Sequence, residues 1–256
     1  MRLLSLAGLV CIMPLIQVRT ATAQSLPTTP AGTNADQGVL EEVVVTAEKR
    51  SENLQKTPAA VTVVSGQDLV DDRISNARDL EVLAPSANFA IERQNMIAYI
   101  RGVGTANDFP NSDPSVVMQI NQVYTPRSAT GGSFFDIQNV EILPGPQGTL
   151  YGRNAIGGVV NVTTVMPGDT FSGEAFMEAG NYSLTHEFAA VDLPVSDDLK
   201  FRIAVNRENH SGYLSNGLDD EDATAVRVSA LYTPGNFSAF VTYTYYHDGG
   251  DRKSVV

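Results

Sequence analysis

Hydrophobic and polar positions follow three patterns along the chain. Residues 3–18 are a mostly apolar run behind Arg2. Residues 51–165 mix short apolar runs with Gly and Pro breaks. From residue 171 the period becomes two. Leu199, Phe201, Ile203 and Val205 alternate with Lys200, Arg202, Ala204 and Asn206; Phe237, Ala239, Val241, Tyr243 and Tyr245 alternate with Ser238, Phe240, Thr242, Thr244 and Tyr246. Period two puts successive side chains on opposite faces of a strand. It predicts strands over 171–180, 184–193, 199–207, 223–232 and 237–246. Alternating segments of about ten residues suit the wall of a membrane β-barrel, and a soluble β-sandwich with one wet face gives nearly the same pattern. On the barrel reading, Tyr243, Tyr245 and Tyr246 form an aromatic girdle, and the acidic connection 208–222 lies outside the cell.

The amino-terminal run reads as a secretory signal over residues 1–23, with Ala21-Thr22-Ala23 before the cut at Gln24. Pro14, Gln17 and Arg19 keep its apolar stretch below the roughly 20 residues of a spanning helix. Residues 24–40 have no hydrophobic period and read as a flexible leader. A short strand signal follows in region 41–50, where Val43-Val44-Val45-Thr46-Ala47 sits between Glu41-Glu42 and Glu48-Lys49-Arg50. By local chemistry it is either the first strand of the next domain or an exposed strand able to extend a partner's sheet.

Residues 51–165 predict a small α+β domain. Strands are expected at 60–64, 96–100, 140–143 and 159–163, with a hairpin over 116–124 turning at Asn121. Ser65-Gly66-Gln67-Asp68 has capping-box form and starts a helix at Gly66. Asn76-Ala77-Arg78-Asp79 caps a second, with Leu80, Leu83 and Ala84 on its apolar face and Pro85 ending it. Two glycine-rich stretches invite a phosphate-site reading that their details reject. Gly102-Val103-Gly104-Thr105-Ala106-Asn107 lacks the third glycine of a dinucleotide fingerprint, and Gly158 stands where a phosphate loop needs Lys. Tight turns with positive φ explain these glycines better.

Composition adds exclusions. The net charge is −12, and loss of Arg2 and Arg19 with the signal makes it two units more negative. No basic cluster suits nucleic acid. The single Cys, Cys11, lies in the signal, which excludes an intrachain disulfide and a Cys-based zinc site. There is no Gly-x-Ser-x-Gly elbow and no Cys nucleophile in the mature chain. His186, His210 and His247 are far apart in sequence. No catalytic residue, metal site or cofactor is expected. The acidic stretches 215–222 and 247–251 read as solvated surface.

One block is far more specific. Phe135-Asp136-Ile137, Val140-Glu141-Ile142-Leu143, then Gly145-Pro146-Gln147-Gly148-Thr149-Leu150-Tyr151-Gly152-Arg153-Asn154-Ala155-Ile156-Gly157-Gly158-Val159-Val160-Asn161-Val162-Thr163-Thr164 resembles the end of the plug domain of TonB-dependent outer-membrane receptors. Residues 58–64, the helix end at 79–85, Ile100-Arg101-Gly102, and Val123-Tyr124 with Arg127 support the resemblance. It implies an α+β plug domain over 51–165, then the first antiparallel strands of a truncated transmembrane β-barrel over 166–250. Its structural motif residues are Arg101, Gly102, Gly145, Pro146, Gly148, Tyr151, Gly152, Arg153, Gly157 and Gly158. The resemblance makes Val43, Val44, Val45, Thr46 and Ala47 the TonB box, which pairs as a strand with the TonB protein. It implies substrate-facing apices at 104–113 and 127–133, including Asn107, Asp108, Phe109, Arg127 and Ser128. Two departures stand out. Pro144 replaces a basic residue before the Gly-Pro-Gln-Gly stretch, which removes a partner for wall carboxylates. Asn121-Gln122 replaces Asp-Gly, which weakens the hairpin because Gln suits a type I′ turn poorly.

By this resemblance the protein takes up a scarce large nutrient, such as an iron-siderophore complex, cobalamin or a carbohydrate. Its partners are the TonB protein with its inner-membrane motor, the small-molecule ligand and outer-membrane lipid. A passive porin-like channel would have no plug or box; a soluble exported plug-like binding module would need no wall. The family wall has about 22 strands, and five cannot close, so the sequence reads as truncated. Asp251-Arg252-Lys253-Ser254-Val255-Val256 matches a translated sequencing adapter, which would put the last native residue at 250.

Overall fold

The computed structural model describes residues 44–45, 52–53, 60–74, 77–92, 95–105, 112–130, 134–213 and 220–249. The signal, the leader and residues 251–256 lie outside them. Among the described residues there are four sheets. Strands β1 (Val44–Val45) and β2 (Glu52–Asn53) form a two-residue antiparallel ladder. Strands β3 (Thr62–Ser65), β7 (Val116–Ile120), β8 (Val123–Tyr124), β9 (Ile137–Pro144) and β10 (Gly158–Thr164) form a sheet in the order β3-β9-β10-β7-β8. Its β7–β10 pairing is parallel and the others antiparallel. Strands β4 (Ala87–Glu92), β5 (Asn95–Ile100) and β6 (Val103–Gly104) make a three-stranded meander. The fourth sheet is a consecutive antiparallel meander of β11 (Ser172–Ala179), β12 (Thr185–Pro194), β13 (Leu199–His210), β14 (Glu221–Tyr232) and β15 (Ala239–Asp248).

Alternation decides the two faces of the plug sheet. Val140, Ile142, Val160, Val162 and Met118 point one way and pack with Leu80, Ala84, Phe89 and Ile100. Val117, Leu143 and Val159 point the other way, against Tyr151 and Ala155. Helix α1 (Gly66–Asp71) opens where expected, with the Ser65 hydroxyl accepting the Asp68 amide and the Asp68 carboxylate accepting the Ser65 amide. The Ser65 hydroxyl also donates to the Asp68 carboxylate at 2.7 Å, and this bond with that from the Ser65 amide holds the Asp68 carboxyl below its ordinary range. The second expected helix is a single 3-10 turn, Asp79–Val82, with no side-chain cap. It still buries Leu80 and Ala84 as the apolar pattern required.

The Asn121-Gln122 hairpin forms fully, contrary to the weakening expected from Gln. Both residues take positive φ, 50° and 66°, between the Ile120–Val123 pair. Asn121 explains this. Its amide nitrogen donates to Val162 O, its side-chain oxygen accepts the Thr164 amide at 3.0 Å, and its Nδ2 donates to Thr164 Oγ1 at 3.0 Å. The turn is bolted to the end of β10, which offsets the left-handed strain at Gln122.

The fourth sheet has its polarity inverted relative to a soluble sandwich. One face carries Glu174, Asp192, Arg202, Asn206, Arg227, Ser229 and Thr244, and its central residues Asp192, Arg202, Arg227 and Ser229 are buried. The other face carries the rows Leu193-Phe201-Ala230-Val241, Val191-Ile203-Val228-Tyr243 and Ala189-Val205-Val226-Tyr245. On it Val241 and Tyr243 are each 66% exposed. A sandwich buries its apolar face; here the polar face is covered and the apolar face is bare. The register corrects one expectation: Tyr243 and Tyr245 point outward, but Tyr246 pairs with Ala225 and packs inward. Among the described residues, no helix is long and apolar enough to cross a membrane.

Candidate functional site: the plug and its seat on the sheet

The motif residues build the end of the plug sheet where β9 passes to β10. Gly145 N donates to Gly157 O and Gln147 N to Ala155 O, so the connection folds back on itself around α2 (Gly148–Tyr151). Gly145, Gly152 and Gly158 have positive φ. Gly157 is required by space: a Cβ there would lie 2.7 Å from Val103 O and 3.0 Å from Val116 Cγ2. Tyr151 is buried beneath the loop, and burial with the nearby Glu141 charge pushes its phenol up to about 12. Pro146, Gly148 and Arg153 are exposed on the outside of the connection. Arg101 and Gly102 form the two-residue turn between β5 and β6, with φ of 52° and 78°. This is type I′ chemistry with glycine at its second position.

The apex residues fare differently. Asn107, Asp108 and Phe109 lie outside the described residues, as does the Ser128 side chain. The neck of their loop is described: Thr105 Oγ1 and Ser115 Oγ lie 2.6 Å apart. Arg127 was expected to face substrate. It is half-buried, and its Nη2 donates to Ser112 O at 2.6 Å, bracing that neck. A guanidinium directed at a backbone carbonyl positions a loop. Of the box residues, Val43, Thr46 and Ala47 lie outside the description. Val44 and Val45 are in strand form and pair with Asn53 and Glu52, so the segment expected to be unpaired already satisfies one edge within the chain.

The junction of plug and sheet is built on the dipeptide Phe135-Asp136, just before β9. Phe135 sits on a platform of Ala190, Ala204 and Ala225, where small side chains leave room for a ring. Asp136 has φ of 53° and a side chain only 2% exposed. Arg202 Nε reaches both its carboxylate oxygens at 3.1 Å, and Nη2 reaches Oδ1 at 2.6 Å. The remaining Arg202 donors go to Asp192 at 2.8 Å and Glu174 at 2.6 Å. Arg227 lies 4.3 Å over the Phe135 ring, donates to the Phe135 and Asp136 carbonyls, and is held by Thr244 at 3.1 Å. Asp192 also accepts Gly168 N at 3.1 Å and Ser172 Oγ at 2.9 Å, tying down the linker between plug and sheet.

The histidines sit apart. His186 bonds Asn206 at 2.8 Å, His210 stacks on Tyr213 near Glu221, and His247 faces outward. Among the described residues no group of His, Cys, Asp or Glu is placed to hold a metal.

Comparison with known proteins agrees with this construction. The family model described as TonB-dependent Receptor Plug Domain matches residues 53–159. The pesticin receptor of Yersinia pestis is 32% identical over 210 residues, covering 78% of this chain and 31% of that protein. A vitamin B12 transporter of Vibrio vulnificus is 29% identical over 165 residues, covering 58% of this chain and 26% of that one. The crystal structure of the ferric yersiniabactin uptake receptor of Yersinia pestis superposes with a TM-score of 0.66 at 25% identity, covering 73% of this chain and 31% of that one. The chain thus spans about a third of the length of the first of these relatives.

Proposed function

The chain belongs to the TonB-dependent outer-membrane receptors, and on that premise we propose that it serves active uptake of a scarce, large nutrient across the outer membrane. The observation that carries this reading is the inverted sheet: a polar face seated on a plug and an apolar face left bare are what a barrel wall in lipid requires. Only closed barrels and helices satisfy backbone polar groups in hydrocarbon. Relatives named for ferric yersiniabactin uptake and vitamin B12 transport support a metal-chelate class of substrate, an iron-siderophore complex first.

In this reading residues 51–165 are the plug, and residues 166–250 supply strands of the wall. The plug blocks the lumen, and substrate meets its apices, where Asn107, Asp108, Phe109 and Ser128 are the contacts and Arg127 fixes the loop neck. The outer membrane holds no nucleotide pool or proton gradient, so energy arrives mechanically. The TonB box, Val43 to Ala47, adds as a strand to the TonB protein's sheet, main-chain bonds giving affinity and alternate side chains specificity. Its β1–β2 ladder is only two residues long, short enough to exchange for an intermolecular one.

The reading is tested by uptake of radiolabelled ferric siderophores into iron-starved cells expressing the receptor, with and without TonB. Accumulation only in the TonB-containing strain is expected. Equal accumulation in both would make the protein a passive channel.

A further inference from the structure

We propose that Arg202 and Arg227 are positioning residues that seat the plug in the closed position by clamping Phe135-Asp136, and that this clamp keeps the lumen shut at rest. The proposal rests on the receptor reading above and adds a role for residues that neither the plug motif nor the box contains.

The clamp is a charge cluster buried at Asp136, Arg202 and Asp192, with Glu174 at its exposed rim. The Arg202 guanidinium on β13 meets the carboxylates of Asp136, Asp192 and Glu174, and the Arg227 guanidinium on adjacent β14 meets the Phe135 and Asp136 carbonyls. The side chains of Asp136, Arg202 and Asp192 are 2%, 5% and 8% exposed. A carboxylate so deeply buried is held by its charge partners. Arg202 spends its donors on three carboxylates at once, two on β11 and β12 of the wall and one on the plug. Arg227 adds a grip that ignores side-chain identity, through the carbonyls on both sides of the Phe135–Asp136 peptide bond. The polarity is informative. Pro144 stands where a plug-borne cation was expected, and in this chain the cations come from the wall and the plug supplies the anion.

The location gives the clamp leverage. Phe135-Asp136 precedes β9, and β9 is the strand through which β3 joins the plug sheet. Asp136 O also accepts Val165 N, next to the linker that leads into β11. Both chain connections of the β9–β10 pair are therefore fixed at one point on the wall. Removing one partner of such a buried pair raises the unseated population by roughly a hundredfold or more.

The test is made on the receptor in the outer membrane of cells lacking TonB, with entry of a large hydrophilic antibiotic as the readout of the lumen. Wild type is expected to stay closed. The double variant Asp136→Cys/Arg202→Cys is expected to be inserted and heat-modifiable, yet leaky. A short bis-methanethiosulfonate cross-linker, added to the cells after insertion, should join the two thiols through two disulfides with loss of two methanesulfinates, replace the ion pair by a covalent tie and restore the seal; a fault in folding would not be repaired at that stage. An inserted double variant that leaks no more than wild type overturns the proposal, and so does a leak that persists once the cross-link has formed. If the double variant fails to insert, Phe135→Ala decides by the same readout, because it removes only the ring from its alanine platform. Leak is read without TonB or substrate, so a failure of the clamp is distinguishable from a failure of TonB-driven uptake in the wild type.

Discussion

Val228→Arg separates a lipid-facing wall from a water-facing sheet. Val228 lies in the central outward row, between Ile203 and Tyr243, with Val226 and Ala230 on either side along β14. It is 38% exposed and touches no part of the plug core clusters. The outward apolar positions of β14 run from Val226 to Tyr232, so Val228 is well inside the apolar band. An Arg at the bilayer midplane costs a barrel about 2–4 kcal/mol. The same change on a water-exposed sheet face costs within about 0.5 kcal/mol. The assay is denaturant titration of the receptor folded into phospholipid vesicles, followed by tyrosine fluorescence and electrophoretic mobility. Val123→Arg is the control, because Val123 is 67% exposed on the plug hairpin. A loss at Val228 at least several times that at Val123 is expected. Equal, small losses at both positions would refute the lipid-facing assignment.

Two further outcomes test local structure. Asn121→Ala leaves the Thr164 amide and hydroxyl without their partner and is expected to destabilise the plug by about 1–3 kcal/mol, measured by hydrogen exchange at β10. Ser65→Ala removes the cap of α1, at a cost of about 1 kcal/mol. It should also raise the Asp68 titration toward its ordinary value, because the Ser65 hydrogen bonds are what lower it. The sign follows: with the folded carboxyl depressed, the cap's contribution is present above the ordinary carboxylate range and fades as pH falls through the folded value. NMR titration of Asp68 in both proteins checks it.

Sequence pattern carried the strands because alternation is local. All five wall strands lie within a few residues of their expected spans, and α1 was marked by its own capping box. What failed was what depends on partners. Strand β4 was not anticipated, since Ala87, Phe89 and Ile91 form a short apolar series just after Pro85 and are fixed only by pairing with β5. Tyr246 joined the aromatic series by composition, yet register turns it inward. Arg127 was placed at a substrate-facing apex, and nothing local in the sequence marked its bond to the Ser112 carbonyl. The clamp was least visible, because Asp136 and Arg202 are 66 positions apart. Its traces in the sequence were Arg202 and Arg227, each at a polar-face position of an alternating strand.

The central claim is that a strand centred on the Val triplet recruits the TonB protein. The most direct measurement is capture of the detergent-solubilised receptor by the immobilised TonB periplasmic domain, with and without Val44→Pro. Proline removes the backbone donor at Val44 and fixes its φ, which breaks an added strand at its centre. Wild-type receptor should be retained and the variant lost, with plug and wall unchanged in mobility. Equal retention of both would contradict the account.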